Sequence, residues 1–128
     1  MLNKSGISKT TYGAPKQILA NVELQASVGC VVAQEIGVVV GAKKIAKAGT
    51  PIIVNFGNLQ APVTAGTATG ASPTANAVLL HDVDVTAGNA NGTALYFGVV
   101  NINRLESDVQ AKVTAGVNTI GAVTFIKA

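Results

Sequence analysis

The segment Ala77–Leu105 constrains the fold of this chain more than any other part of its sequence. Two apolar-rich runs, Ala77–Thr86 and Thr93–Asn101, flank a cluster of turn-forming residues. An Asn-Gly pair between such runs favours a hairpin, because both residues tolerate positive φ. We therefore predict a β-hairpin, in which Gly92→Val would cost roughly 1–3 kcal/mol if the glycine needs positive φ. The predicted turn residues are Asn89, Asn91 and Gly92.

A helix is predicted to begin directly after the hairpin. Asn103 can accept hydrogen bonds from the first turn, and Glu106 stands where a capping box places its acidic residue. The apolar residues that follow recur every four positions and would form one stripe. The stripe consists of Leu105, Val109 and Val113. Gly116 would end the helix, and Asp108 would pair with Lys112 one turn further on.

The composition favours a mostly β domain of short strands. Charged residues make up 12% of the 128 residues, while Gly is plentiful at 14 and β-branched residues are common. A chain of this length can bury a core of its own. We predict one small β-sandwich or barrel-like domain over residues 17–128, with one C-terminal α-helix. Residues 1–16 offer few apolar anchors and predict a flexible arm, which is either a frayed terminus or a segment that orders on a partner surface.

Further strands and turns follow from the alternation of apolar and polar residues. The stretch Val22–Val32 alternates with period two and predicts a half-buried strand, broken near Ala26. Lys43-Lys44 predicts a polar turn. The remaining predictions are strands over 36–40, 45–47, 51–54 and 122–127, a turn over 55–58 and an exposed loop over 62–74.

The sequence lacks the residue patterns of a catalytic or metal site. Gly37–Lys43 has three residues between its glycines and an alanine before the lysine, so it predicts a strand ending in a turn and not a phosphate-binding loop. His81 would point to the opposite face of a strand from Asp82 and Asp84, which favours polar contacts at the hairpin mouth over metal binding. We expect no enzyme activity, no cofactor and no metal.

Charge and composition also limit the classes of partner. One arginine, no tryptophan and a net charge of +3 do not supply the Arg-rich, aromatic surface of nucleic-acid-binding proteins. No apolar run approaches the ~20 residues of a membrane-spanning helix, and the first 16 residues lack a hydrophobic signal core. Cys30 cannot form an intrachain disulfide and is expected to be a buried, inert thiol. A weakly charged surface is one that another copy or another protein can cover.

The residues carry a resemblance to a family of viral structural proteins. The segment AVLLHDVDVTAGNANGTALYFGVVNINRL at Ala77–Leu105, with the 23 residues after it, resembles the C-terminal half of head-decoration or head-fibre proteins of tailed bacteriophages of Gram-positive hosts. Upstream, KKIAKAGTPI at Lys43–Ile52 resembles the Lys-Ala-Gly-Thr-Pro segment of the same proteins. The order of segments is distantly similar to that of the lambda-type decoration protein, and the match covers about residues 20–128.

The resemblance implies a structural virion protein on the outer surface of the capsid, assembled in the cytoplasm of the host bacterium. Its partners would be the phage major capsid protein and further copies of itself, as a trimer at local three-fold positions. It would reinforce the shell against the pressure of packed DNA. The arm would be the capsid-binding segment, so deleting residues 1–12 should weaken attachment and leave the fold intact. The candidate arm residues are Lys4, Ile7, Lys9 and Tyr12.

Two alternatives stay open at this point. A head-fibre base or adhesin-like module would bind host-surface glycans through exposed aromatic side chains. Tyr96 and Phe97 are predicted to point to opposite faces of their strand, so one of them would be available for such a role. A small shell subunit would need longer elements for its lattice contacts than short strands and one short helix provide.

Overall fold

The computed structural model describes residues 17–20, 23, 25–69, 73–113 and 122–127. Within these ranges the chain is mostly β and forms two sheets, which confirms the predicted fold class. The strands are β1 (Ala26–Val32), β2 (Val38–Val40), β3 (Lys43–Ala46), β4 (Pro51–Ile53), β5 (Thr64–Ala65), β6 (Ala77–Leu79), β7 (Val83–Asp84), β8 (Ala90–Asn101) and β9 (Ala122–Ile126). Single 3-10 turns cover Gln34–Ile36 and Ile102–Arg104, and the helix α1 covers Ser107–Gln110.

The larger sheet curls until its two edges meet. Its strands lie in the order β1-β8-β6-β4-β5, with antiparallel neighbours, and β9 runs parallel to the C-terminal half of β8. Val63, directly before β5, forms a parallel bridge with Val32 of β1. The Val63 N–H donates to the Val31 carbonyl at 2.7 Å. This contact gives the sheet its barrel-like form.

The smaller sheet, in the order β2-β3-β7, covers one end of the curl. A tight turn joins β2 to β3, and Gly41 in that turn has a φ of +63°, which glycine adopts without steric cost. Val83 of β7 approaches the beginning of β8, where a Cβ added to Gly92 would lie 2.9 Å from Val83 Cγ2. Lys43-Lys44, predicted as a turn, instead begins β3, because Gly41 and Ala42 supply the turn.

Two apolar cores lie on the two faces of the larger sheet. In β6, Ala77 and Leu79 belong to the inner core, inside the curl, whereas Val78 belongs to the outer core. The outer core lies under α1 and β9, and Phe125 of β9 is its largest fully buried side chain. β6 is therefore buried on both faces, as its continuous apolar run would favour.

The strands at the two ends of the described domain match their predictions in part. β1 alternates in burial and its register with β8 shifts between Ala26 and Ser27, at the predicted break, but Glu23 and Gln25, which the prediction included, lie outside the strand. In β9 the Val123 and Phe125 side chains are fully buried while Thr124 is half-buried, as the alternation predicts. The predicted loop over 62–74 is wrong in one respect, because it contains β5 and buries Val63.

The predicted hairpin turn is wrong. Asn91 and Gly92 lie inside β8, where they pair with Val31 and Cys30 of β1, and the φ of Gly92 is not in the left-handed region. The chain does not return directly from β6 to β8, because it first passes through β7 in the smaller sheet. The turn that precedes β8 is formed around Gly88, whose N–H donates to the Val85 carbonyl at 3.2 Å. Asn89 lies after this turn, and its Oδ1 accepts from the Gln34 N–H at 2.9 Å.

The C-terminal helix is shorter than predicted and is capped differently. Asn101, not Asn103, is the capping residue, and its side chain accepts from the Asn103 N–H at the start of the 3-10 turn. Glu106 is the N-cap of α1 and forms no side-chain capping bond there. The predicted stripe is confirmed in its burial. Its three members, Leu105, Val109 and Val113, are all buried in the outer core.

Several predictions lie outside the described residues. These are the N-terminal arm over 1–16 with Lys4, Ile7, Lys9 and Tyr12, the start of the first strand at Val22, and the helix end at Gly116. They stay predictions from the sequence.

Candidate functional site

The cluster of titratable residues after β6 serves the fold. Asp82 Oδ1 accepts a hydrogen bond from the Ala48 N–H at 2.7 Å, and Asp84 Oδ1 accepts one from the Thr86 N–H at 2.9 Å. Hydrogen bonds from Thr86 hold the pKa of the Asp84 carboxyl below its ordinary value, with Lys43 adding a weaker attraction. His81 Nδ1 is buried without a partner among the residues described. Over those same ranges, no three His, Cys, Asp or Glu side chains are close enough together to hold a metal ion.

The remaining reactive or charged groups of the described core are also structural. Cys30 is buried, and this burial raises the pKa of its thiol, so the sulfur stays protonated and unreactive at neutral pH. Lys47 reaches α1, where its Nζ lies 3.1 Å and 3.2 Å from the two carboxylate oxygens of Asp108. Asp108 was predicted to pair with Lys112, but its hydrogen bonds from Lys47 connect α1 to the segment after β3.

An apolar groove at the other end of the curl is the strongest candidate site. Val28, Phe56 and Tyr96 line it, and it has a volume of ≈ 400 Å³. The Phe56 and Tyr96 rings meet edge to face, with centroids 5.6 Å apart and planes at 75°. Such edge-to-face pairs are favoured by the ring quadrupoles, so the two rings support one another. We call these three residues the aromatic groove.

A β-bulge in β8 places Tyr96 at the groove. Ala26 of β1 pairs with Phe97 while Ser27 pairs with Leu95, so Tyr96 is an extra residue in the ladder. A bulge interrupts the alternation of side chains along a strand. As a result Tyr96 and Phe97 are both exposed, at 38% and 45%, between buried Leu95 and buried Gly98. The prediction that they occupy opposite faces did not include this bulge and is wrong.

A turn fixed by its own side chain holds Phe56. The Asn58 N–H donates to the Asn55 carbonyl at 3.0 Å, and the Gly57 N–H donates to Asn55 Oδ1 at 2.9 Å. An Asn side chain that bonds the backbone two residues on stabilises such a turn. The predicted turn over 55–58 is therefore confirmed, and it presents Phe56, 51% exposed, on a constrained backbone.

The chemistry of the aromatic groove suits apolar contact. Among its three lining side chains, the Tyr96 hydroxyl is the single polar group, and none of the three is charged. Aromatic side chains with a small polar component are typical anchors of protein–protein interfaces. The groove is suited to an apolar side chain of a protein partner. A pyranose ring could stack on its aromatic side chains but would find few hydrogen-bonding groups there.

The sequence indicates the aromatic residues but does not predict that Phe56 and Tyr96 are in contact. Phe56 and Tyr96 are 40 positions apart, and their contact depends on the curl of the larger sheet. The local signal was a Tyr-Phe pair inside a strand, since two adjacent large aromatics satisfy period two only if one of them is buried.

Comparison of the chain with protein-family models, with curated proteins and with solved structures returns no match. In the parts of the chain that the structure describes, no helix is both long and apolar enough to cross a bilayer. The fold and the aromatic groove therefore carry the functional argument, together with the resemblance stated from the sequence.

Proposed function

We propose that this chain is a non-enzymatic structural protein that binds the outside of an assembled tailed-phage head and stabilises it. The observation that carries the proposal is the aromatic groove, an uncharged, exposed apolar surface at the mouth of the curled sheet. The resemblance of residues 20–128 to head-decoration proteins supplies the partner class, the major capsid protein.

Apolar docking would stabilise the shell by mass action. A protein that binds one state of an assembly lowers the free energy of that state and shifts the population toward it. Binding preferentially to the expanded shell would therefore oppose its disassembly under the pressure of packed DNA. Tyr is enriched among the residues whose truncation costs about 2 kcal/mol or more at protein interfaces, so Tyr96 would supply an anchoring contact.

The proposal includes two features that rest on the sequence, the first on the resemblance and the second on the composition of the N-terminal arm. The first is a trimer at local three-fold positions of the shell. The second is a capsid-binding arm over residues 1–16, where Lys4, Ile7, Lys9 and Tyr12 would contact the shell. An extended arm can add a strand to an exposed sheet edge, which gains main-chain hydrogen bonds and demands little of the side chains. Both features would place the protein on the outer surface of the virion.

A glycan-binding module is the second candidate, and the exposed Phe56–Tyr96 pair favours it. Aromatic faces stack on sugar rings, but sugar recognition also needs several hydrogen-bonding groups around the ring. The lining of the aromatic groove supplies one, the Tyr96 hydroxyl. This shortage makes a protein partner the better fit.

Co-sedimentation with purified heads tests the proposal. The full-length protein would be mixed with expanded and with unexpanded empty heads from tailed phages of Gram-positive hosts, and a glycan array would be probed with the same preparation. We expect saturable binding to the expanded heads, weaker binding to the unexpanded heads and no array signal. Saturable binding to a glycan without binding to any head would replace the proposal with the second candidate.

A further inference from the structure

We propose that the N-terminal arm, residues 1–16, occupies the aromatic groove of its own chain in the free protein, with the Ile7 side chain seated against Phe56 and Tyr96. The arm would then be a strap that covers the groove until a partner displaces it. The contact is a property of the free chain, whereas its regulatory role rests on the proposed function of the groove.

The arm joins the described domain on the side of β8 that carries the groove. Phe97 pairs with both Ala26 of β1 and Ala122 of β9, so β1 and β9 lie on opposite sides of β8. Val100 pairs with β9 and also with Leu19, so Leu19 lies on the same side of β8 as β1. Because a residue of β1 also lines the groove, the root of the arm and the groove share one side of β8.

The pairing of Leu19 fixes the distance between the root of the arm and the groove. The Asn101 N–H donates to the Ile18 carbonyl at 2.9 Å, which continues the antiparallel contact at the end of β8. Gln17, the first described residue, therefore lies about six residues beyond Tyr96 along β8, which at roughly 3.3 Å per residue is about 20 Å.

The length of the arm suits this distance. Ile7 lies ten residues before Gln17. A linker of ten residues rich in Gly and Ser has an r.m.s. end-to-end distance of roughly 16–19 Å, and it spans at most about 35 Å when extended. Tyr12 lies five residues before Gln17, and even a fully extended chain of that length reaches only about 17 Å. Ile7 is therefore the large apolar side chain that reaches the groove without a stretched backbone.

The chemistry of the arm around Ile7 matches the groove. The lining of the groove is uncharged, and its two rings remain 51% and 38% exposed at Phe56 and Tyr96. Over residues 3–16, Ile7 and Tyr12 are the large apolar side chains. Lys4 and Lys9 flank Ile7, and long lysine side chains keep their ammonium groups in water while a neighbour is buried. Seating Ile7 would therefore cover apolar surface without burying a charge.

Covalent connection favours the arm of the same chain over the arm of a second copy. A short flexible linker gives its ligand an effective concentration in the millimolar range, which is highest when the r.m.s. length of the linker matches the span. A second copy at micromolar concentration is about a thousandfold more dilute than the tethered arm. Occupation by the strap would lower the apparent affinity of the groove for a partner in proportion to the fraction of chains in which the groove is open.

A nitroxide attached beside Ile7 tests the contact in the free full-length chain. Cys30→Ala removes the native thiol, and Lys9→Cys supplies the attachment site. We expect the backbone amide NMR signals of Phe56 and Tyr96 to lose most of their intensity. The signals of the turns at the opposite end of the curl should keep theirs and report that the chain is folded. These reference positions are Gly41 and Gly88.

Two variants and a mixed sample decide the outcome. Ile7→Ser in the nitroxide-bearing chain should restore the Phe56 and Tyr96 signals, whereas the matched control Ile7→Leu, which keeps an apolar side chain of equal size, should leave them weak. Isotope-labelled chains without nitroxide, mixed with unlabelled chains that carry it, should show no loss. The proposal is overturned if the two signals keep their intensity, if Ile7→Ser does not restore them, or if the mixed sample shows the loss, since the occupant would then be the arm of a second copy.

The measurement contains no phage heads, so its outcome is separate from that of the proposed function. Failure of the chain to bind heads would refute the proposed function and leave the contact between arm and groove standing. Absence of the NMR effect in a chain that binds heads would refute the strap alone.

Discussion

The two ends of the curled sheet share one inner face but differ in what covers them. At the end near Gly92, the smaller sheet packs against the curl, and a Cβ added to Gly92 would lie 2.7 Å from Val32 Cγ2. At the end near Tyr96 none of the described residues forms a comparable layer over the lining residues, and the aromatic groove remains. The end near Gly92 therefore contributes to stability, because its side chains are buried. The end near Tyr96 has side chains that are only partly buried and are accessible for binding.

The largest expected effect is at the covered end, for Gly92→Val. The new side chain would collide with Val32 and Val83, and overpacking of this kind costs typically about 1–3 kcal/mol. This loss of stability is as large as the loss expected from a positive φ at Gly92, but its cause is close packing. The matched control is Gly29→Val in β1, where an added Cβ meets nothing within 4 Å. Urea unfolding would measure both, and an equal loss of stability in the two variants would contradict the packing explanation.

A smaller effect on stability is expected at the open end. Tyr96→Thr keeps a residue that favours strands while it removes a ring that is already 38% exposed. We expect a change in the free energy of unfolding below about 1 kcal/mol, as is usual for substitutions at the surface. Thermal and urea unfolding would be compared with the wild-type chain. A loss as large as that of Gly92→Val would mean that the groove is part of the core and would end the contrast between the two ends.

The smallest expected effect is a change in titration beside the covered end. Hydrogen bonds from Thr86 lower the pKa of the Asp84 carboxyl from its ordinary value of 3.8, so this carboxylate stabilises the fold above that pH. The contribution is lost as pH falls through the lowered folded-state pKa. Thr86→Val should raise the pKa of Asp84, whereas Thr86→Ser, which keeps the hydroxyl, should not. Carboxyl-carbon NMR titration would measure it, and an unchanged midpoint in Thr86→Val would refute the assignment.

The sequence predicted elements well where local pattern determines structure. β1 and its break, β9 and the turn at Asn55 follow from alternation or from a side chain bonding its own backbone. The predictions that failed depended on distant parts of the chain. Asn91-Gly92 has the local form of a turn, but pairing with β1 extends it into β8. In the same way Asn103 has the form of a cap, while Asn101, at the end of the long central strand, takes that position.

The aromatic groove could be anticipated only in part. The sequence shows that Phe56, Tyr96 and Phe97 are among the few large aromatics of the chain. It does not show the bulge that exposes both members of the Tyr-Phe pair, because the bulge is a property of the register between two strands whose paired residues are 58 or more positions apart in sequence. Nor does it show the curl that brings Phe56 to Tyr96. The bulge and the curl both depend on pairing between strands that are distant in the sequence.

The most direct test of the account is the affinity for expanded heads, measured by co-sedimentation titration for the wild-type chain, Tyr96→Thr and the control Ile53→Thr. Ile53 is an exposed apolar residue of the same sheet, at 37%, that does not line the aromatic groove. If the groove docks on the shell, Tyr96→Thr should bind about tenfold more weakly while its melting temperature falls by no more than about 5 °C, as expected for an aromatic interface anchor at the surface, and Ile53→Thr should bind like the wild type. Wild-type binding by folded Tyr96→Thr would contradict the central claim.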